Sequence, residues 1–221
     1  MAALIPRRLA SMPRSLTERS LLRAVRTLTT GDPALEASVQ RFGPPPLWAR
    51  EPSFATLVHL ILEQQVSLAS ALAAFERLQI ATGDVTPAAF LTLDDRTLRE
   101  VGFSRQKAGY VRDLAIALND GFQLAALERL PDEEVRGSLM QLRGIGRWTA
   151  DVYLTMCLLR PDVWPHGDQA LATGAMEILG LPERPTFEEL EVLSERWRPY
   201  RAVSARIIWH NYLGVRGRPD G

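Results

Sequence analysis

Leu142-Arg143-Gly144-Ile145-Gly146-Arg147-Trp148-Thr149-Ala150 decides how this chain is read, together with Trp164-Pro165-His166-Gly167-Asp168 further on. The glycines predict a tight turn between two helices, since Gly144 and Gly146 are free to take φ > 0 and to let a backbone approach another surface closely. Behind them Trp148, Ala150, Val152, Tyr153, Leu154, Met156, Cys157 and Leu158 are too apolar for a helix that buries one face only. That helix is expected to be buried on most sides. Its first N–H groups and the positive end of its dipole then point outward, and such an end binds a phosphate. Asp168, 20 residues after Trp148, is placed to cap the next helix.

Composition narrows the classes. A chain of 221 residues, 46% of them apolar, can bury a core as one domain or two small lobes. The formal net charge is zero, so any nucleic-acid binding must come from local charge. The single Cys157 excludes an intramolecular disulfide, a cysteine-based zinc site and a four-cysteine iron–sulfur cluster. Lys107 is the only lysine. No apolar run reaches the roughly 18 residues of a membrane span. Residues 1–26 are rich in arginine and poor in acids, but Pro6 and Pro13 break the amphipathic helix a transit peptide needs. A frayed start over residues 1–16 is expected instead.

Caps and periodicity place the helices. Thr17 caps a helix over 17–28, and Asp32-Pro33 starts one that ends near Phe42-Gly43. Pro44-Pro45-Pro46 is a stiff connector and a lobe boundary. Ser53 caps a helix carrying Phe54, Leu57, Val58, Ile61 and Leu62, and after Gln64-Gln65-Val66-Ser67 a further helix runs from Leu68 to Ile80. Helices are expected at 87–93, 94–101, 105–119, 121–127, 132–139, 169–179, 186–196 and 202–213. No stretch alternates with period two, so the chain reads as all-α. The expected organisation is N-terminal helices over 1–50 packed on a C-terminal lobe, a helical lobe over 51–160 ending in the hairpin (about 132–159), a C-terminal lobe over 161–214 and a tail over 215–221.

With these residues in view, the chain resembles the helix-hairpin-helix/Gly-Pro-Asp superfamily of DNA glycosylases. Gly-Ile-Gly-Arg-Trp-Thr-Ala is close to the 3-methyladenine DNA glycosylase II (AlkA-type) branch. Gln64-Gln65-Val66-Ser67, Gly102-Phe103-Ser104-Arg105-Gln106-Lys107-Ala108, and Arg198-Pro199-Tyr200-Arg201 through Trp209 are similar to further family segments. The resemblance runs from about residue 50 to 213. It implies a compact, two-lobed, all-helical glycosylase without the β-rich N-terminal domain of longer AlkA-type enzymes. The active site would lie in the cleft between the lobes.

The resemblance also assigns roles. Asp168 becomes the catalytic carboxylate: breaking an N-glycosidic bond builds positive charge on the sugar, which a fixed anion stabilises, and the same group holds or deprotonates the attacking water. From the residues alone, Asp168 reads first as a plain helix cap, and it is the resemblance that makes it catalytic. Trp148 and Trp209 fall on pocket positions where stacking favours a cationic alkylated purine, although large aromatics at helical spacing are ordinarily core. Val152 and Gln169 stand where relatives have Tyr, which predicts a more open and less aromatic pocket. Gln65 matches the residue that fills the gap left by the flipped base, and Gln64 a loop-fixing hydrogen bonder. The hairpin residues Gly144, Ile145, Gly146, Arg147 and Thr149 are expected to grip phosphates, with Arg143, Arg105, Lys107, Arg112 and Arg201 as further backbone contacts. Carbonyls of Met140, Leu142 and Ile145 match those that hold a monovalent cation, Na+ or K+, in the family. His166 is expected to shape the turn before Asp168.

Bifunctional relatives form a Schiff base through a Lys at the position of Trp148, and imine chemistry needs an amine. A monofunctional enzyme needing no cofactor is therefore expected. It would release alkylated purines (3-methyladenine, 7-methylguanine) from duplex DNA in base excision repair, as a monomer in the bacterial cytoplasm at the nucleoid, with no membrane partner. Two alternatives stay open: a non-catalytic helix-hairpin-helix module that only holds DNA, and a glycosylase for deaminated or etheno bases.

Overall fold

Helix starts are written locally in this chain. In the computed structural model, which describes residues 15–218, Thr17, Asp32, Ser53, Ser67, Thr86, Asp94, Ser104, Asp168 and Thr186 each accept a backbone N–H of the turn they open. Each cap satisfies a donor that the helix cannot pair internally. The elements follow as α1 (Glu18–Gly31), α2 (Pro33–Phe42), α3 (Phe54–Glu63), α4 (Leu68–Thr82), α5 (Pro87–Leu91), α6 (Asp95–Glu100), α7 (Arg105–Asn119), α8 (Asp132–Met140), α9 (Arg147–Met156), α10 (Gln169–Leu179), α11 (Phe187–Ser194) and α12 (Arg201–Val215). Short 3-10 turns cover Leu124–Arg129 and Glu195–Trp197. Every regular element among the described residues is helical.

Some boundaries differ from expectation. The segment expected as a helix over 121–127 is a 3-10 turn starting at Leu124. Its N-terminal residue Gln123 offers no side-chain cap, so nothing fixes a full α-turn there. α12 runs to Val215, into the stretch expected as tail. The expected frayed start lies mostly outside the described residues. Of the two that are described, Leu16 is buried and its N–H donates to Leu159 O (2.7 Å), while Ser15 Oγ donates to Leu158 O (2.9 Å). The entry to α1 is thus tied to the end of α9.

Two hydrophobic cores form. One gathers α3 through α9, with Leu57, Val58, Leu60, Ile61, Val111, Ala150, Val152, Tyr153 and Leu154 buried. The other takes α1 and α2 together with Trp164 and helices α10 to α12. α10 packs on α12, and α12 on α2. Met156 packs against both cores.

Arg206 of α12 ties the two together from a fully buried position. Its guanidinium donates to Leu47 O in the 43–53 connector (Nε, 3.0 Å), to Ala202 O (2.9 Å) and to Thr155 O at the end of α9 (2.5 Å). Burial pushes this arginine down to about 10, low for the residue yet still charged at neutral pH. Three carbonyl dipoles take the place of a counter-ion, fixing where the end of α9 sits relative to α12.

Candidate active site

Asp168 sits where the two cores meet. It is the N-cap of α10, and its Oδ1 accepts Leu171 N–H (2.8 Å). The indole of Trp209, from α12 and the second core, donates Nε1–H to the same oxygen (3.2 Å). The indole of Trp148, from α9 and packed against the first core, donates to Oδ2 (2.8 Å). An ionised carboxylate has about four acceptor sites. Three N–H donors fill three of them and leave one on the Trp148 side. The group is 8% exposed, so it is fixed in position and close to dry while keeping a contact with the exterior.

The two tryptophans therefore do something the sequence did not suggest: they hold the carboxylate by their edges. They differ in what else they offer. Trp209 is 7% exposed, whereas Trp148 is half-buried and keeps free surface. Val152, one turn after Trp148, is buried in the first core. Gln169, next to Asp168, is exposed, and its Oε1 accepts Arg184 Nη1–H (2.7 Å). Because a guanidinium only donates, this bond fixes the amide with its NH2 turned away from Arg184.

The hairpin joins α8 to α9. Gly144 takes φ +85°, and a Cβ added there would lie 2.2 Å from Tyr110 Cγ. Gly146 departs from expectation. As N-cap of α9 it is extended (φ −91°, ψ 179°), so no left-handed turn is needed. A Cβ there would meet nothing within 4 Å. What its missing side chain leaves is a helix start without a side-chain cap, at exposed Gly146 and Arg147.

Two side chains expected at phosphates already have partners within the protein. Thr149 is 1% exposed and its hydroxyl accepts Gln64 Nε2–H (3.0 Å), which removes it from any surface. The Arg147 guanidinium pairs with Glu191 and approaches Asp151 (3.7 Å), so it is engaged within the protein. Arg143 pairs with Asp113 (3.1 Å) over the ring of Tyr110. Arg201 is bound to Asp162 and Glu195, and Arg112 to Asp95. Ile145 is buried in the first core; Met140 is exposed at the end of α8; Leu142 O accepts Ile145 N–H (3.1 Å).

The loop before α4 is held at both ends. Gln64 Nε2 also donates to Gly144 O (2.9 Å), joining loop and hairpin. Gln65 is exposed with φ +59°. Lys107 Nζ donates to Leu62 O and Gln64 O, both at 2.8 Å, and burial lowers its pKa.

Sequence reasoning missed Asp151. Fully buried, it binds Arg136 Nε–H of α8 (2.7 Å) and accepts His166 N–H (3.3 Å), so one carboxylate ties the hairpin to the turn before Asp168. Burial raises its pKa against the pull of Arg136. His166 Nδ1 in turn meets Glu191 (2.8 Å). The i,i+4 spacing of Arg147 and Asp151 is the one sequence signal of this network. Asp151→Ala is expected to cost about 2 kcal/mol, because the Arg136 guanidinium is left with Glu133 alone and the His166 N–H loses its acceptor; urea unfolding measures it, and an unchanged midpoint would refute the role.

Comparison with known proteins adds the family. The model of the HhH-GPD superfamily base excision DNA repair protein matches residues 58–199. The alkylbase DNA glycosidase-like protein mag2 of Schizosaccharomyces pombe is 35% identical over 126 residues, 56% of this chain and 59% of the relative, so the match spans about three fifths of that protein. DNA-3-methyladenine glycosylase 1 of the same yeast is 31% identical over 165 residues, 72% of each chain. The solved structure of an S. pombe 3-methyladenine DNA glycosylase with abasic DNA superposes with TM-score 0.75 at 28% identity, covering 85% of this chain and 95% of that one. The chain belongs to the HhH-GPD superfamily of base excision DNA repair proteins.

Proposed function

We propose that this protein is a monofunctional DNA glycosylase that hydrolyses the N-glycosidic bond of alkylated purines in duplex DNA, with Asp168 as the catalytic carboxylate. The observation that carries the proposal is the carboxylate held between an indole from each core, with one acceptor site left over. As the bond to the base lengthens, positive charge develops at C1′ of the sugar. An immobile anion in a nearly dry site stabilises that charge without reorganising. The remaining acceptor site takes a proton from, or orients, the attacking water. Trp148, the indole with free surface, is the face on which a cationic base stacks; Trp209 fixes the acid. Gln65 enters the gap that the flipped base leaves.

DNA is held by the hairpin main chain. The N–H groups after Gly146 meet a phosphate oxygen. Carbonyls of Met140, Leu142 and Ile145 fit an alkali cation, since carbonyl oxygen is the donor such ions take and Leu142 O keeps a second lone pair beyond its bond to Ile145. That ion would add positive charge beside the phosphate. Strand cleavage is not expected: the position that would bear a Schiff-base lysine is Trp148, and Lys107 is occupied with two carbonyls. The protein acts as a monomer in the cytoplasm, at the nucleoid of a bacterial cell; no helix among the described residues is long and apolar enough to cross a membrane.

Incubation with methylated duplex DNA is expected to yield free 3-methyladenine and 7-methylguanine, abasic sites that break only on alkali treatment, and no adduct on borohydride reduction. Absence of free base would refute the proposal. A second substrate class is favoured by Gln169: with its carbonyl taken by Arg184, it offers N–H donors beside Asp168, suited to a base bearing a carbonyl. Release of hypoxanthine from a duplex carrying deoxyinosine tests it, and no release would remove this second class.

A further inference from the structure

The lone lysine has no part in the chemistry above, yet it is bound to the segment that does the mechanical work. Lys107 sits in the first turn of α7, whose start is fixed by the Ser104 cap. Its side chain reaches across to the C-terminal end of α3 and donates to two carbonyls there, Leu62 O and Gln64 O. Unpaired carbonyls and the negative end of the dipole make that end a seat for a cation. Gln64 is then held a second time, through its amide, to Gly144 O and Thr149 Oγ1. The next residue, Gln65, has φ +59°, a left-handed conformation unfavourable for a side chain with a Cβ. Two residues on, Ser67 caps α4. An exposed glutamine in a disfavoured conformation is thus bracketed by anchors on both sides.

We propose that Lys107 is a positioning residue for base extraction: seated on the carbonyls of Leu62 and Gln64, it holds Gln65 ready to fill the space vacated by the flipped nucleotide. The inference rests on the proposed role of Gln65. It goes further by assigning to Lys107 a duty in opening the duplex and none at the reacting atoms. Opening costs a few kcal/mol for a paired base and least for one already unpaired. Loss of the anchor is therefore felt where a pair must be broken.

The test compares release of 7-methylguanine from two duplexes, one with cytosine opposite the lesion and one with a tetrahydrofuran spacer there. Lys107→Met is expected to slow release from the paired lesion about tenfold more than from the unpaired one. Lys107→Arg, which can donate to the same two carbonyls, restores most of the rate. Equal slowing on both duplexes, or no slowing on the paired one, would overturn the proposal. Should Lys107→Met fail to fold, Gln64→Leu removes the second anchor and is scored by the same ratio. If the unsubstituted protein releases nothing from either duplex, the glycosylase proposal itself fails, an outcome distinct from a lost ratio.

Discussion

Asp168→Asn is expected to lower base release about a thousandfold, the scale on which removal of a positioned electrostatic stabiliser is felt. The fold and the grip on DNA should survive. Asn caps a helix as well as Asp does, so the bond from Leu171 N–H is kept. The amide retains one acceptor oxygen, and its NH2 is left facing an indole N–H, donor against donor. With the oxygen toward Leu171 and Trp209, the indole that loses its partner is Trp148. That indole is half-buried and finds water, so the stability cost is about 1 kcal/mol. Free-base chromatography, fluorescence anisotropy on duplex DNA and a thermal melt separate the three quantities. Normal release by the substituted protein would remove Asp168 from the chemistry.

Gly144→Val is expected to be the most damaging single change to the fold, costing about 4 kcal/mol or more. Two effects add. A side chain at φ +85° is strained whatever the space around it, and the new Cβ would stand 2.2 and 2.3 Å from ring carbons of Tyr110. The ring cannot simply move aside. Its hydroxyl is bound by Gln106 (2.5 Å), and the Arg143 guanidinium lies over its face. Gly146→Ala is the informative partner. It meets no atom within 4 Å and already has an extended backbone, so its stability cost is about 1 kcal/mol or less. If the proposed phosphate contact at the start of α9 holds, DNA binding should nonetheless fall, because the methyl group would stand in its path. A Gly144→Val protein unfolding at the normal urea concentration would contradict the hairpin geometry.

What the sequence made legible was whatever is settled within one helical turn. Thr17, Asp32, Ser53, Asp168 and Thr186 announce the helices they cap, since each binds an N–H only two or three residues away. The buried character of α9 follows from its own composition. The glycine pair was half legible: Gly144 needs its positive φ, while Gly146 serves by leaving a helix start bare. The contacts that make the site were beyond reach. Asp168 meets Trp148 and Trp209 at separations of 20 and 41 residues, and only the docking of one core on the other brings those indoles to one carboxylate. Thr149 and Arg147 looked like phosphate ligands because residue type suggests a partner without saying whether the protein already supplies one. Gln64 and Glu191 supply them here.

One binding measurement bears most directly on the claim that a pinned anion stabilises a cationic sugar. Duplex DNA carrying a pyrrolidine abasic analogue, protonated at neutral pH, should bind about a hundredfold more tightly than the same duplex with neutral tetrahydrofuran, as a mimic of transition-state charge does. In Asp168→Asn that preference should vanish while affinity for the tetrahydrofuran duplex stays the same. Equal affinity of the unsubstituted protein for both analogues, or a preference that survives the substitution, would contradict it.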